Sequence, residues 1–346
     1  MTAPALRLVG VGVRFGDAPG LRGIGFEVAP GERLVLLGAS GAGKTTLLRA
    51  IAGLAPAETG RIVIGGRDVT PLPAESRDAV YLHQTPLLFP HLSVFENVAF
   101  PLRIRGVEEA TLRATVAELL ESVRLDGLGR RRTSTLSGGQ RHRAALARAM
   151  AARPAVLLLD EPLTALDPSL REEVRTTLLS LQAHYRPAMV IVTHDLEDAA
   201  VLGDRIGILL GGTIAQLDSP ERLFRRPASL PVARFLGIPN IVTGSVEAGQ
   251  FRSALGSMPV GGELPAGPAA AAFGSEALHA DPCGTMRGVV RRIHHGPRGA
   301  TLRVEVAGIK LEAAAPAGAM PLPGDELLFT IEPDRVTVLP GATDVR

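Results

Sequence analysis

The segment GASGAGKTT, Gly38 to Thr46, constrains the fold of this chain more than any other stretch. It fits the pattern G-x-x-x-x-G-K-[ST]. The run RLVLL (Arg33 to Leu37) precedes it and reads as a short buried strand, and Lys44 to Ala52 follows with helical composition. Strand, glycine loop, helix is the context in which such a loop holds phosphates. Glycines 38, 41 and 43 let backbone N–H groups curl round phosphate oxygens, and the helix N-terminus adds partial positive charge. The expected cradle therefore runs through Gly38, Ala39, Ser40, Gly41, Ala42, Gly43, Lys44, Thr45 and Thr46. Lys44 is expected to bridge the β- and γ-phosphates and the Thr45 hydroxyl to bind Mg2+. The choice of base agrees. Of 37 Lys and Arg, only Lys44 and Lys310 are Lys. A chain that uses Arg almost everywhere keeps a Lys inside the loop, where a planar guanidinium would not fit.

Three more segments carry chemistry. In VLLLDEP (Val156 to Pro162), Asp160 emerges from a buried strand facing the phosphate loop, where it can hold Mg2+ directly or through water. Glu161 follows it and can polarise an attacking water as general base. LSGGQRHRAALARAM places Ser137, Gly138, Gly139 and Gln140 just before a helix rich in Ala, Leu and Arg, a second anion site. One nucleotide does not need two such loops. A second copy of the chain can supply this one, so the pair of loops argues for a head-to-tail homodimer with two nucleotides at the interface. Finally, VIVTHD puts His194 directly after an apolar run. The runs Ala155 to Leu159 and Met189 to Val192 read as parallel strands whose carboxyl ends carry the chemistry.

The rest of the chain sets the organisation. Residues 5–15 read as an early strand. Leu112, Val116, Leu119, Leu120 and Val123 recur at spacings of three and four, an amphipathic helix over 107–125. It lies in an inserted segment, about 86–152, expected to form a helical subdomain. After residue 236 the character changes. Residues 254–285, rich in Gly, Ala and Pro, read as irregular loops with weak strands. Met286–Ile293, Thr301–Val306, Ile309–Glu312, Leu327–Ile331 and Arg335–Leu339 read as short strands between Gly and Pro turns, a small β-barrel or sandwich. No run approaches 18 apolar residues, so no bilayer span is expected. The single cysteine, Cys283, excludes an internal disulfide and fits a reducing compartment. A net charge of +2 gives little reason to expect nucleic acid.

With these motifs in order, residues 1–236 resemble the nucleotide-binding domain of an ATP-binding-cassette (ABC) transporter, whose signature is the LSGGQ pentapeptide. The resemblance implies an α/β P-loop NTPase domain with a helical subdomain, ATP and Mg2+ as ligands, and ATP hydrolysis coupled to solute transport. It assigns Phe15 to stacking on adenine, Gln84 to a Mg2+ and water contact that also senses the membrane partner, and His194 to a switch contact with the γ-phosphate. Leu163–Asp167 (LTALD) resembles the D-loop, which brings Asp167 to the nucleotide interface. Thr85 to Phe100, apolar and aromatic for this chain, resembles the groove that receives a coupling helix of the permease. The partner is then expected near Gln84 to Phe95, with Leu88, Phe89 and His91 closest.

Residues 237–346 resemble the small all-β, oligonucleotide-binding-fold regulatory domain of certain importer ATPases. The expected protein is a peripheral motor subunit on the cytoplasmic face of the inner or plasma membrane. It would be a homodimer working with separate permease subunits and, indirectly, a substrate-binding protein. The cargo leans toward ferric iron, a polyamine or a small oxyanion. The alternative is a soluble ABC ATPase acting on nucleic acid or the ribosome. Such proteins carry two nucleotide domains or a long coiled-coil insertion, and neither is present. Single-strand binding by the β domain would need aromatic platforms, and from Met286 onward Phe329 is the only aromatic residue.

Overall fold

The computed structural model describes residues 3–15, 18–164, 166–260, 262–296, 299–316 and 319–341. The chain divides into two compact units, Met1–Pro220 and Glu221–Arg346.

In the first unit the described strands are β1 (Leu6–Phe15), β2 (Ala18–Val28), β3 (Arg33–Leu37), β4 (Thr59–Ile64), β5 (Arg67–Asp68), β6 (Ala79–Leu82), β7 (Val156–Asp160), β8 (Ala188–Thr193), β9 (Arg205–Leu210) and β10 (Thr213–Asp218). The helices are α1 (Lys44–Ala52), α2 (Val94–Ile104), α3 (Glu109–Ser122), α4 (Gly138–Ala151), α5 (Pro168–Tyr185) and α6 (Leu196–Leu202). The main sheet runs β10-β9-β3-β8-β7-β6. It is parallel from β9 to β6, and β10 closes one edge as an antiparallel strand. The strands read as continuous apolar runs because they are buried on both faces: Leu34 to Leu37 and Val156 to Leu159 expose nothing. The parallel register turns the carboxyl ends of β3, β6, β7 and β8 toward one end of the sheet. Ligands of open α/β sheets bind outside those ends. A second, antiparallel sheet, β2-β1-β4-β5, adds Leu6, Val11, Ile24 and Ile62 to the core that holds Leu47 and Ile51 of α1. Helices α2, α3 and α4, which lie between β6 and β7 in sequence, pack on one another.

The second unit begins in α7 (Pro220–Arg225) and continues through α8 (Leu230–Phe235), ahead of the sequence-based boundary at residue 236. Packing explains the difference, since Ala233 of α8 clusters with Ala272 and Leu339. The strands are β11 (Asn240–Glu247), β12 (Gln250–Ser253), β13 (Gly256–Pro259), β14 (Gly267–Phe273), β15 (Leu278–Ala280), β16 (Met286–Gly296), β17 (Gly299–Val306), β18 (Ile309–Ala314), β19 (Glu326–Ile331) and β20 (Thr337–Pro340). Among the described residues they form a five-stranded sheet, β13-β12-β11-β14-β20, and a closed barrel, β15-β18-β17-β16-β19.

One expectation is corrected. Residues 267–273, GPAAAAF, read as part of irregular loops with weak strands, form the well-paired β14, bonded to β11 and β20. Ala269, Ala271 and Phe273 face the core that also holds Phe329, while Ala272 faces the α8 side. Both faces are covered, so the strand carries no polar alternation. Its alanines lack the β-branched signature by which strands are read.

The helix behind the glycine loop is fixed at its far end by a buried cation. Arg77, only 5% exposed, donates to the carbonyls of Ala50 (2.7 Å) and Ile51 (3.2 Å) at the C-terminus of α1. It also donates to Leu72 O (2.8 Å) and Thr70 O (2.9 Å). A guanidinium suits this position because its fork serves several acceptors at once and meets the negative end of the helix dipole. Arg77→Met keeps the bulk but removes these four hydrogen bonds. It is expected to lower the stability of the full chain by about 2–3 kcal/mol in chemical denaturation. A shift below about 0.5 kcal/mol would mean that water replaces the fork.

Candidate functional site

The glycine loop leaves β3 at Gly38 and enters α1 at Lys44. Two glycines are required by geometry. A Cβ at Gly38 would stand 2.8 Å from the Leu209 carbonyl oxygen, and Gly43, the N-cap of α1, has φ +94°. No side chain caps this helix and no acid sits in its first turn, so its amides face the loop without an internal partner. Ala39, Ser40, Gly41 and Thr45 are exposed, Ala42 and Thr46 partly buried. Lys44 is buried, and its Nζ donates to Gly38 O (2.8 Å) and Ala39 O (3.0 Å). Burial pulls its ammonium below the ordinary lysine range, while Glu161 and Asp160 act in the opposite sense.

Asp160 ends β7 and is 7% exposed. Its Oδ1 accepts from Thr45 Oγ1 at 2.9 Å, and its Oδ2 accepts from the Tyr81 hydroxyl at 2.6 Å. Adjacent ligands of an octahedral ion with bonds of about 2.1 Å stand about 3.0 Å apart. The Thr45 and Asp160 oxygens already have that separation and that hard, oxygen-donor character, so the pair fits Mg2+. Burial, then the Asp160 hydrogen bond, push the Tyr81 phenol far above its ordinary value, and it remains a donor.

Glu161 takes a left-handed backbone, φ +47°, unusual for a residue with a Cβ. Two hydrogen bonds hold it there: its N–H donates to Val192 O (2.9 Å) and its carbonyl accepts from Thr164 N (3.2 Å). The turn brings the carboxylate to the end of β8, where Oε1 lies 3.3 Å from His194 Nδ1. His194 is half exposed, and the loop carrying it is anchored behind it. Asp195 accepts from Glu197 N (2.8 Å) and Asp198 N (2.9 Å) and so caps α6. Arg171 of α5 then pairs with Asp195 (2.5 Å) and with the buried Asp198 (2.6 Å). The Asp198 and Asp195 hydrogen bonds raise the Arg171 guanidinium above its ordinary value.

The remaining candidates lie apart from this cluster. Ser137 caps α4 in a reciprocal box: Gln140 N donates to Ser137 Oγ (3.2 Å), and Ser137 N donates to Gln140 Oε1 (3.0 Å). That leaves the amides of Gly138 and Gly139 at the helix entrance. A Cβ on Gly139 would collide with Leu170 of α5 at 2.2 Å. Asp167 caps α5 through Leu170 N (3.0 Å), and the Ser169 hydroxyl, at 2.6 Å, leads in holding its carboxyl below the ordinary range. Gln84 lies exposed past the end of β6. Among the described residues no hydrogen bond or ion pair joins Ser137, Asp167 or Gln84 to the Lys44–Asp160–Glu161 cluster. The side chain of Phe15, at the end of β1, lies outside the described residues.

Beyond Gln84, the buried Asn97 organises the aromatic loop by accepting from Phe89 N (2.8 Å) and donating to Phe89 O (3.1 Å). The Phe89 ring meets Phe100 at 4.6 Å and His91 at 6.1 Å, and the Arg148 guanidinium stacks on it at 5.0 Å. Phe89, Phe100 and Arg148, with Tyr81, His83 and Leu87, border a cavity of about 200 Å3. Leu87 and Phe100 are exposed beside it, while Leu88 is partly buried.

Sequence reasoning missed Tyr81, Arg171 and Asn97. Tyr81 left the faintest trace, as one of two tyrosines in the chain, placed near the carboxyl end of a short strand. Arg171 acts on partners 24 and 27 residues away and had no signal; Asn97 acts on Phe89, eight residues before it, but a lone Asn inside an apolar stretch carries no pattern.

The ABC transporter family matches residues 21–164. Three relatives extend over most of the chain. An Fe(3+) ions import ATP-binding protein of Streptomyces coelicolor is 38% identical over 99% of both chains. A sulfate/thiosulfate import ATP-binding protein of Xanthomonas campestris pv. campestris is 43% identical over 88% of this chain and 91% of its own. A spermidine/putrescine import ATP-binding protein of Rubrobacter xylanophilus is 38% identical over 96% of this chain and 76% of its own.

The Arg171 clamp can be weighed by a double-mutant cycle. Arg171→Met leaves Asp198 with only the distant Arg175, at 3.8 Å. It is expected to cost about 2–3 kcal/mol in chemical denaturation, with Asp198→Asn in the same chain recovering at least about 1 kcal/mol. Strictly additive losses would show that the two side chains do not act as a pair.

Proposed function

This chain belongs to the ABC transporter family, and we propose that the cluster around Asp160 is the ATPase site with which it energises solute import through a separate membrane permease. The observation that carries the reading is the convergence of Lys44, Thr45, Asp160, Glu161 and His194 at the carboxyl ends of β3, β7 and β8.

Each residue has a task that its position supports. The uncapped start of α1 and the amides of Gly38 to Thr46 bind the phosphates of ATP. The Lys44 ammonium exchanges two loop carbonyls for phosphate oxygens, a stronger, charge-assisted bond. Thr45 and Asp160 would hold Mg2+, which would neutralise phosphate charge. The Glu161 carboxylate takes the proton of the attacking water. His194 meets that carboxylate and keeps it directed into the site, with Gln84 completing the water and metal contacts. Phe15 stacks on adenine.

Ser137, Gly138, Gly139, Gln140 and Asp167 serve the ATP of a second copy in a head-to-tail homodimer. In support, the Ser137 turn presents glycine amides, and among the described residues no hydrogen bond or ion pair joins Ser137 to its own chain's cluster. The aromatic loop between Gln84 and Phe95 receives the permease, and the β-rich region from residue 237 is regulatory. Among the described residues no helix is long and apolar enough to cross a membrane. The assembly places this subunit peripherally on the cytoplasmic face. Relatives named for Fe(3+), spermidine/putrescine and sulfate/thiosulfate support a cargo among iron, polyamines and small oxyanions, delivered by a substrate-binding protein.

Glu161→Gln is expected to keep ATP binding while phosphate release falls by at least about 100-fold. Turnover near that of the unmodified chain would remove Glu161 from the role of base. In that variant ATP is expected to convert monomer to dimer by light scattering, and adding Ser137→Arg to abolish the conversion. An ATP-loaded chain that stays monomeric would sink the shared-site arrangement.

A further inference from the structure

We infer that Tyr81 is a positioning residue for the metal site: its hydroxyl fixes the Asp160 carboxylate through Oδ2 and so leaves Oδ1, the oxygen beside Thr45, to face the ion. The inference rests on the reading of Asp160 as a Mg2+ ligand.

The geometry follows from strand register. β6 and β7 are parallel, with Tyr81 opposite Leu158. Side chains opposite one another share a face, and so do residues two apart on one strand. Tyr81, Leu158 and Asp160 therefore lie on the same face, and Asp160 stands about 6.6 Å further along it. Leaning along the strand, a tyrosine spans that distance and ends in a donor, which meets Oδ2 at 2.6 Å. Serine or threonine would fall short, and leucine or phenylalanine would bring no proton.

The carboxylate has two oxygens and two protein donors, one on each. With the Thr45 hydroxyl and Oδ1 as neighbouring ligands of Mg2+, the Thr45 lone pairs would face the ion and its bond to Oδ1 would be given up. The Tyr81 bond is then the remaining restraint on rotation about the Asp160 side chain. Such outer partners of metal ligands typically set affinity by about 10- to 100-fold. The same ring meets His83 in a T-shaped contact, centroids 4.5 Å apart, and walls the cavity beside Phe89 and Phe100. The hydroxyl is thus held in register by the packing of that cavity.

The test is Tyr81→Phe in the full chain, which keeps the ring and its packing and deletes the donor. A non-hydrolysable ATP analogue is titrated into both proteins with EDTA. Mn2+ is then titrated into the nucleotide-bound proteins and counted by electron paramagnetic resonance. The expected result is an analogue affinity in EDTA within about twofold of the unmodified chain, with Mn2+ bound about 10-fold more weakly. Mn2+ affinity unchanged, or equal losses with and without metal, overturns the assignment. Asp160→Asn is the control for the underlying reading. If it too leaves Mn2+ affinity intact, Asp160 is not a metal ligand and the ATPase assignment of the cluster fails with it.

Discussion

A single buried carboxylate organises the working end of the first unit. Asp160 is nearly enclosed, and a charge in that position is tolerated only when other groups compensate it. It is met from two sides, by Thr45 at the start of α1 and by Tyr81 at the end of β6. At Lys44, also buried, desolvation pulls the ammonium below its ordinary range while Glu161 and Asp160 favour the charged form. The acids and the lysine are therefore mutually dependent, although they come from segments more than a hundred residues apart. The parallel sheet makes this possible, because it delivers the ends of β3, β7 and β8 to one place whatever the length of chain between them.

The helix entrances of the first unit differ in how their first amides are satisfied. α2, α5 and α6 begin at Ser93, Asp167 and Asp195, whose side chains consume the first free amides. α1 begins at a left-handed glycine with no capping side chain. α4 is intermediate: its capping box satisfies the amides of Ser137 and Gln140 and spares those of Gly138 and Gly139. A helix that forgoes a cap gives up roughly 1 kcal/mol of stability. That is small beside what several amides and a helix dipole contribute to holding a polyphosphate. Lack of a cap is not enough by itself, since α3 also starts uncapped at Glu108; what sets α1 apart is the glycine loop and the buried Lys44 beside its free amides.

This difference also explains how much could be read from the sequence. The phosphate loop, the acid pair and the Ser137 turn each depend on residues within a few positions of one another, so their geometry is written in short spacings. The strands that carry them announce themselves by apolar runs. Tyr81 is different, because its partner lies 79 residues away and depends on which strand pairs with which, in what register. Arg171 depends on α5 crossing the start of α6. β14 was hidden for another reason. Burial on both faces removed the polar alternation, and close packing selected alanine over the branched residues that mark a strand. What the sequence concealed is the set of contacts decided by tertiary register.

The two cations at the ends of α1 show how the chain divides labour between Lys and Arg. Arg77, at the negative end of the helix dipole, is bonded to four backbone carbonyls. Its planar fork suits a permanent structural joint. Lys44 sits at the opposite end, where the dipole opposes a cation, and burial opposes it further. Its partners in the loop are two neutral carbonyls, weak acceptors for a desolvated ammonium. A polyphosphate entering the loop relieves the dipole, the buried charge and the unpaired amides together. The site is electrostatically incomplete without its anion, whereas the joint at Arg77 is already closed. Binding energy is therefore directed to the end of α1 that faces Asp160 and Glu161, while the other end holds the helix still.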